Sequence, residues 1–459
     1  MLCSLDLAVE AGLPIAAGSD LAPRPQVDLL TERRLLAAAG LGPAGALRAA
    51  TSGAARLLRL DDRGRVAPGL RADLVLLDGP PWTSPTSPVA SARSGKRGTG
   101  CAAKTARGAA AGRDTLAGVD FLPGLELARR FHADVVRPIL ERRGLTYSAA
   151  LIGPGSEVLG FDTERSTDHD WGPRLQLFVR EPGDLDDLLA HELPREFLGH
   201  STHFADNEGD PTKRMSPADG PVRHAVEIAD VETWFTARLG FLPGEAVSRH
   251  DWLTTPAQTL AELTGGAVFH DGLGRLGALR AALAWYPDDV WREVLAGQWR
   301  RIAQEEAFVG RCGEVGDELG SAVVAARLVR DLMCLCLLMA RRYPPYSKWL
   351  GSAFARLPLA PELTPHLAGA LAATSWRERE THLATAYETV AAQHNRLGLT
   401  EPIDPRTRGF HNRPYRVLGA DRFVAALHPG AIGAIDQWVD STDVLGRHER
   451  TRAVGRGLT

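Results

Sequence analysis

The chain has 459 residues, of which 44% are hydrophobic and 24% charged, and it carries a formal net charge of −3. These are the proportions of an ordinary globular protein, and a prior of roughly 150 residues per domain suggests about three domains. The charge balance excludes bulk nucleic-acid binding, which needs a basic excess.

The positive charge is almost all arginine, with lysine at positions 96, 104, 213 and 348 alone, a bias that fits a high-GC genome. Five irregularly spaced cysteines form neither a disulfide framework nor a CxxC knuckle, so a reducing cytoplasm is expected. The longest apolar run, Leu332–Ala340, falls short of the roughly 20 residues of a membrane span. The N-terminus has no basic segment ahead of an apolar stretch, so no signal peptide is expected.

In chain order, "PIAAGSD" (14–20) predicts a short buried strand ending in Asp20, and "DLLTERRLLAAAG" (28–40) a helix capped by Gly40. Residues 64–79 predict a turn and a β run. Residues 80–115 are rich in Pro, Ser, Gly and Ala, with six Lys/Arg and one Asp, and predict a disordered linker; a nucleic-acid-binding tail is the sharper alternative. An amphipathic helix is predicted from Phe121 to about Arg143, then a strand ending in "LIGPGS", an acidic strand over 168–179, and helices around 184–198. "VRHAVEIADV" (222–231) predicts a strand leading into a helix that stops at Gly240. From about Asp251 to Leu397 the pattern is almost wholly helical, most clearly over 289–308 and 321–343, and a short mixed α/β tail follows. The expected domains are 1–79, a linker 80–115, 116–240, a helical domain 241–400, and an extension 401–459.

The acidic strand carries the chemistry. Residues two apart on a strand share a face, which would aim Asp168 and Asp170 the same way and His169 to the other. Two adjacent carboxylates repel, and a divalent cation relieves this; hard oxygen ligands suit Mg²⁺, which keeps positions for water and phosphate. The bend at Gly155–Ser156 supplies the complement, since glycine admits a phosphate close to the backbone and serine adds a donor. Glu227, in "HAVEIADVETW", would add a third acid and complete a two-ion arrangement; Asp230 and Glu232 compete for that place, because one register slip changes which acid points inward. His191, His200 and His203 lie close in sequence and offer a zinc alternative without a clear fourth ligand.

The pattern "IGPGS", then "DHDW", then "VEI" resembles the DNA polymerase beta-like nucleotidyltransferase superfamily, which includes aminoglycoside adenylyltransferases. Residues 121–445 resemble more closely the bacterial domain of unknown function 4037, through "GSEVLGFDTERSTDHDWGPRL", "DWLTTPAQTL", "GAVFHDGLGRLGALRAAL", "WYPDDVW" and "RRYPPYSKWL". The resemblance implies an α+β fold: a nucleotidyltransferase-like mixed sheet with helices, then a large helical domain, beside a separate small α/β N-terminal fragment. It implies a nucleoside triphosphate (NTP) substrate, two Mg²⁺ ions on Asp168, Asp170 and Glu227, an unknown acceptor, and basic residues of the helical domain on the triphosphate. Lys348 is the candidate for that last role, and Arg165, in the turn before the acids, is another phosphate candidate beside Gly155 and Ser156. A nucleotide-binding regulatory module without turnover is the alternative.

Residues 5–79 resemble the C-terminal end of metal-dependent amidohydrolases of the imidazolonepropionase-like kind, with Asp20 at the position of the metal-binding or water-activating aspartate. A C–N hydrolase is therefore a third reading. It lacks histidine ligands, the first histidine of the chain being His132.

Overall fold

The computed structural model describes Ile15, residues 36–67 apart from 58, 61 and 66, and residues 121–457 apart from 208–209, 245–246, 429 and 431. Two compact units divide the chain, residues 1–114 and 115–459. Asp20, the strand expected at 14–20, most of the β run at 64–79 and the linker at 80–115 lie outside the described residues.

In the first unit, α1 (Gly42–Ala49) and α2 (Ser52–Leu57) follow a π turn at Ala37–Leu41. Gly40 adopts φ 94°, as a capping glycine does, but the chain continues helically to Gly42 at φ 65°. Leu36, Ala46 and Ala49 are buried together there, with Ile15, Ala37 and Leu41 packed against them.

The second unit opens with α3 (Gly124–Phe131) and α4 (Arg137–Arg142), joined through a π turn at His132–Val136 into the single amphipathic run that the sequence predicts. Four strands then build a mixed sheet: β1 (Ser148–Leu151), β2 (Arg174–Phe178), β7 (Ala225–Ala229) and β8 (Ala267–Asp271), in the order β7-β2-β1-β8. β1 is antiparallel to β2, with Ala150 opposite Gln176, and β2 is parallel to β7, with Gln176 opposite Glu227. Between β2 and β7 come α5 (Leu185–Glu192) and two hairpins, β3 (Glu196–Phe197) with β4 (His200–Ser201), and β5 (Phe204–Asn207) with β6 (Asp210–Met215).

Alternation along the strands sorts side chains to two cores. Ala149, Leu175 and Leu177 join Phe131, Leu140 and Leu189 on one face. Ala150, Ile152 and Phe178 join Trp234, Phe235 and the helical region on the other. His132 lies in the first core with Nε2 3.2 Å from the Tyr147 hydroxyl, and burial pushes its pKa down to about 4, so it packs neutral.

After β7 runs α6 (Val231–Leu239). Asp230 caps it by accepting from the Thr233 N–H at 2.9 Å, and Gly240 ends it at φ 77°. Next come α7 (Arg249–Thr254), α8 (Ala257–Thr264), β8, α9 (Leu276–Ala282), α10 (Asp288–Glu305), α11 (Phe308–Glu314), α12 (Glu318–Met339), α13 (Ser347–Ala355), α14 (Ala360–Ala372) and α15 (Trp376–Arg396). The long amphipathic patterns at 289–308 and 321–343 are α10 and α12. Among the described residues no helix is long and apolar enough to cross a membrane.

The tail contains a two-stranded ribbon, β9 (Arg408–Gly409) with β10 (Arg416–Val417), then α16 (Asp421–Leu427), α17 (Thr442–Leu445) and α18 (His448–Val454). It docks on the helical region through Phe423, stacked 4.3 Å from Trp299, and through buried Glu306, whose carboxylate accepts the N–H groups of Leu418, Gly419 and Ala420 at 2.6, 3.1 and 2.9 Å.

Three expectations change. The acids at 168–170 precede the strand, because Pro173 has no N–H to give a ladder and Gly172 turns at φ 139°, so pairing begins at Arg174. The helix expected to about residue 198 stops at Glu192, since a proline at 194 disfavours helical backbone at 193. The nearly continuous helix after 251 is broken by β8, entered through Gly266 at φ 62°.

Candidate functional site

β1 ends at Leu151, and Gly153 and Gly155 then turn the chain at φ 85° and 151°. A Cβ on Gly155 would stand 2.3 Å from Arg174 Nη2, so no other residue fits there unshifted. Ser156 sits on this bend. Its carbonyl accepts from the Phe161 N–H at 2.8 Å, and its hydroxyl makes no hydrogen bond among the described residues.

The acids lie on the same loop. Residues Glu164–Asp168 form a 3-10 turn, capped by Thr163 and Ser166. His169 is extended at φ −159° and ψ 155°, so the Cα atoms of its two neighbours stand about 7 Å apart. Asp170 takes φ 46° and is bound to β6 twice: its N–H donates to the Lys213 carbonyl at 2.8 Å, and its Oδ1 accepts the Lys213 N–H at 2.9 Å. Asp168 Oδ1 lies 3.0 Å from His169 Nδ1. Both aspartates are exposed, and each keeps Oδ2 outside these contacts. Arg165, on the 3-10 turn, is exposed and has no ion-pair partner among the described residues.

Glu227 is elsewhere on the sheet. It faces Gln176 across β2 and β7, and its carboxylate accepts from Gln176 Nε2 at 3.2 Å, Trp234 Nε1 at 2.9 Å and Arg238 Nη2 at 3.0 Å. The Arg238 guanidinium lies 3.6 Å from the Trp234 ring. A cation on Glu227 would have to displace this set. Its rivals are also engaged: Asp230 is a helix cap, and Glu232 pairs with Arg275 at 2.8 Å. Among the described residues no group of three or more His, Cys, Asp or Glu is disposed to hold a metal ion. One Mg²⁺ needs only one or two protein carboxylates, the number that Asp168 and Asp170 offer. The donor set does not fit a two-ion centre completed by Glu227. The histidines do not gather either: His203 Nδ1 accepts from the Arg223 N–H at 3.0 Å, His191 Nδ1 faces the Asp187 carbonyl at 2.7 Å, and His200 stands edge-on to Trp171, where burial lowers its pKa.

Lys348 is the second residue of α13. Its ammonium lies 4.9 Å from the Trp349 ring and has no carboxylate partner among the described residues. Trp349 stacks on Phe161 with centroids 5.3 Å apart, and Arg356, from the other end of α13, lies 4.0 Å above the same Phe161 ring. Arg356 also donates to the carbonyls of Leu159, at 3.2 Å, and Gly160. The loop bearing Ser156 is therefore held on the helix bearing Lys348. α8 reinforces this: the Glu262 carbonyl accepts from the Gly153 N–H at 2.9 Å, and Gln258 Oε1 accepts from the Tyr346 N–H at 2.9 Å. Phe161, Arg174, Trp349 and Arg356 escape the sequence reading, because the burial of Glu157 and the ring stack that engage them are products of packing.

Residues 252–350 match the family model described as Domain of unknown function (DUF4037), and residues 2–102 match that of the Amidohydrolase family. The first match lies over the helical region, including α8 and Lys348, and begins after the acidic turn. The second runs into the stretch whose composition predicts a linker, and the sequence it covers contains no histidine. A curated imidazolonepropionase from Deinococcus deserti is 41% identical over 78 residues, 16% of this chain and 19% of that protein. The chain thus spans about a fifth of the length of that relative.

Proposed function

We propose that residues 116–400 form a Mg²⁺-dependent nucleotidyltransferase, moving a nucleoside monophosphate from a nucleoside triphosphate to an unknown acceptor. The observation that carries it is the docking of α13 on the β1–β2 loop through Phe161, Trp349 and Arg356, which joins Lys348 to the segment of Ser156. The bend and Lys348, almost 200 positions apart in the chain, belong to one packed unit.

In this reading Ser156 and the backbone N–H groups of the bend donate to phosphate oxygens, and Lys348 and Arg165 balance their charge. Asp168 and Asp170 would hold the cation. A Mg²⁺ bound there would supply positive charge to the triphosphate and to the departing pyrophosphate. The acceptor oxygen attacks the α-phosphorus, the bond from it to the β-phosphate oxygen breaks, pyrophosphate leaves, and the acceptor's proton passes to solvent water. Catalysis rests on positioning and charge neutralisation. Free Cys312, Cys334 and Cys336 are in keeping with a reducing cytoplasm.

The engaged Glu227 favours one further reading, a nucleotide-binding regulatory module without turnover, since the third acid of a transfer site is tied to Arg238. The amidohydrolase reading lacks such support, because its matched stretch has no imidazole to bind a metal.

The test incubates the full chain with Mg²⁺, labelled nucleoside triphosphates and an acceptor library. Pyrophosphate release is expected, falling by about a hundredfold or more in Asp168→Ala and Asp170→Ala, as loss of a principal electrostatic contact does. Release that persists in both variants refutes the transferase site, and tight binding without release favours the regulatory module.

A further inference from the structure

The β1–β2 loop is closed by two nested ties. The inner one is Asp162, whose Oδ2 accepts from Trp171 Nε1 at 3.1 Å and from the Gly124 N–H of α3 at 2.7 Å. The outer one is Glu157 with Arg174. Arg174 Nε and Nη2 reach Glu157 Oε1 at 2.7 and 2.6 Å, and Nη2 also donates to the Pro154 carbonyl at 2.7 Å. The Glu157 side chain is 3% exposed and that of Arg174 16%. Asp168 and Asp170 lie inside the inner tie, and the Gly155–Ser156 bend lies between Pro154 and Glu157, the two residues that Arg174 holds.

A buried ion pair is a costly way to hold a loop, because desolvation offsets most of its attraction. Its distinctive product is geometry. The planar guanidinium fork bonds a carboxylate and a backbone carbonyl together, which a lysine ammonium cannot reproduce in the same directions. The glycine at 155 leaves room for it, since a Cβ there would collide with Arg174 Nη2 at 2.3 Å and with Glu157 Oε2 at 2.8 Å. The guanidinium thus spans from the bend to the first residue of β2, four positions after Asp170.

We infer that Arg174 and Glu157 are positioning residues that set the phosphate-binding bend at the distance from Asp168 and Asp170 at which one Mg²⁺–triphosphate engages both. This rests on the transferase reading and adds to it a defined pair that touches neither ion nor nucleotide. The consequence is a coupling: phosphate on the bend favours the cation on the acids, and the reverse, only while the clamp fixes their spacing.

The experiment is calorimetric titration of the full chain with ATP, GTP, CTP and UTP, each with and without Mg²⁺. The wild-type protein is expected to bind at least one of them about tenfold more tightly with Mg²⁺, a usual size for coupling between sites. Arg174→Lys is expected to bind the metal-free nucleotide nearly as well and to lose that gain. A purely structural role would lower the melting temperature and the competent fraction but leave the ratio of the two affinities intact. A folded Arg174→Lys that keeps the full gain therefore overturns the inference and leaves the transferase reading standing. A wild-type chain that binds none of the four overturns that reading and this inference with it. Glu157→Gln, of the same shape, decides the matter by the same ratio where Arg174→Lys does not fold.

Discussion

Glu227 shows how one residue's partners fix its role. Residue type and flanking β pattern make it a natural third carboxylate, yet Gln176, Trp234 and Arg238 already donate to it. Glu227→Gln is expected to change Mg²⁺-dependent nucleotide affinity by less than the roughly tenfold that even an outer partner of a metal costs. Glu227→Ala is expected to lower stability by about 1–2 kcal/mol, since it strips an acceptor from a buried tryptophan and a partly buried arginine. Titration calorimetry and urea unfolding measure the two effects, and loss of the Mg²⁺ dependence in Glu227→Gln would return the residue to the metal site. The closeness of the acids at 168 and 170 was legible, because it rests on spacing alone, although the strand expected to carry them begins only at Arg174. The left-handed backbone of Asp170 was not, because Lys213, forty-three positions away, holds it there.

At the scale of elements, helices with long amphipathic periods were readable and short strands less so. α10 and α12 each present a broad apolar face to the same core, and large buried side chains such as Trp299 contribute about 1.5–3 kcal/mol apiece. β8 is five residues long within a helical pattern, and its identity comes from pairing with β1, with Ser148 opposite Asp271. Glu306, just past the end of α10, ties the tail to the helical region through three backbone N–H groups, and burial raises the pKa of its carboxyl in spite of them. Glu306→Ala is expected to lower stability by about 3 kcal/mol, because buried amide donors lose a charged acceptor. Urea unfolding gives the magnitude, and limited proteolysis is expected to cut first within residues 401–459. A variant as stable and as resistant as the wild type would mean that Phe423 and its neighbours hold the tail without it.

The whole molecule divides into two compact units. The first resembles an amidohydrolase terminus, and the second carries the mixed sheet and its helices. The second unit buries its own cores on both faces of the sheet, so residues 115–459 are expected to unfold as a folded protein on their own, with a midpoint within about 3 °C of that in the full chain. Calorimetric scans of the two chains check this, and a truncated chain without a cooperative transition would show that the first unit is needed.

By itself the sequence determined the helical periods, the two family resemblances, the glycine–serine bend and the pair of aspartates, all of which rest on residue types and near spacing. Tertiary structure alone decided that β2 begins after the acids, that Glu227 belongs to Arg238, that Arg174 clamps the bend, and that Phe161 seats its loop on α13. The physical reason is range. Periodicity and turn chemistry act over a few residues, whereas the partner that neutralises a buried charge or fills a ring's face is chosen by packing between segments far apart in the chain.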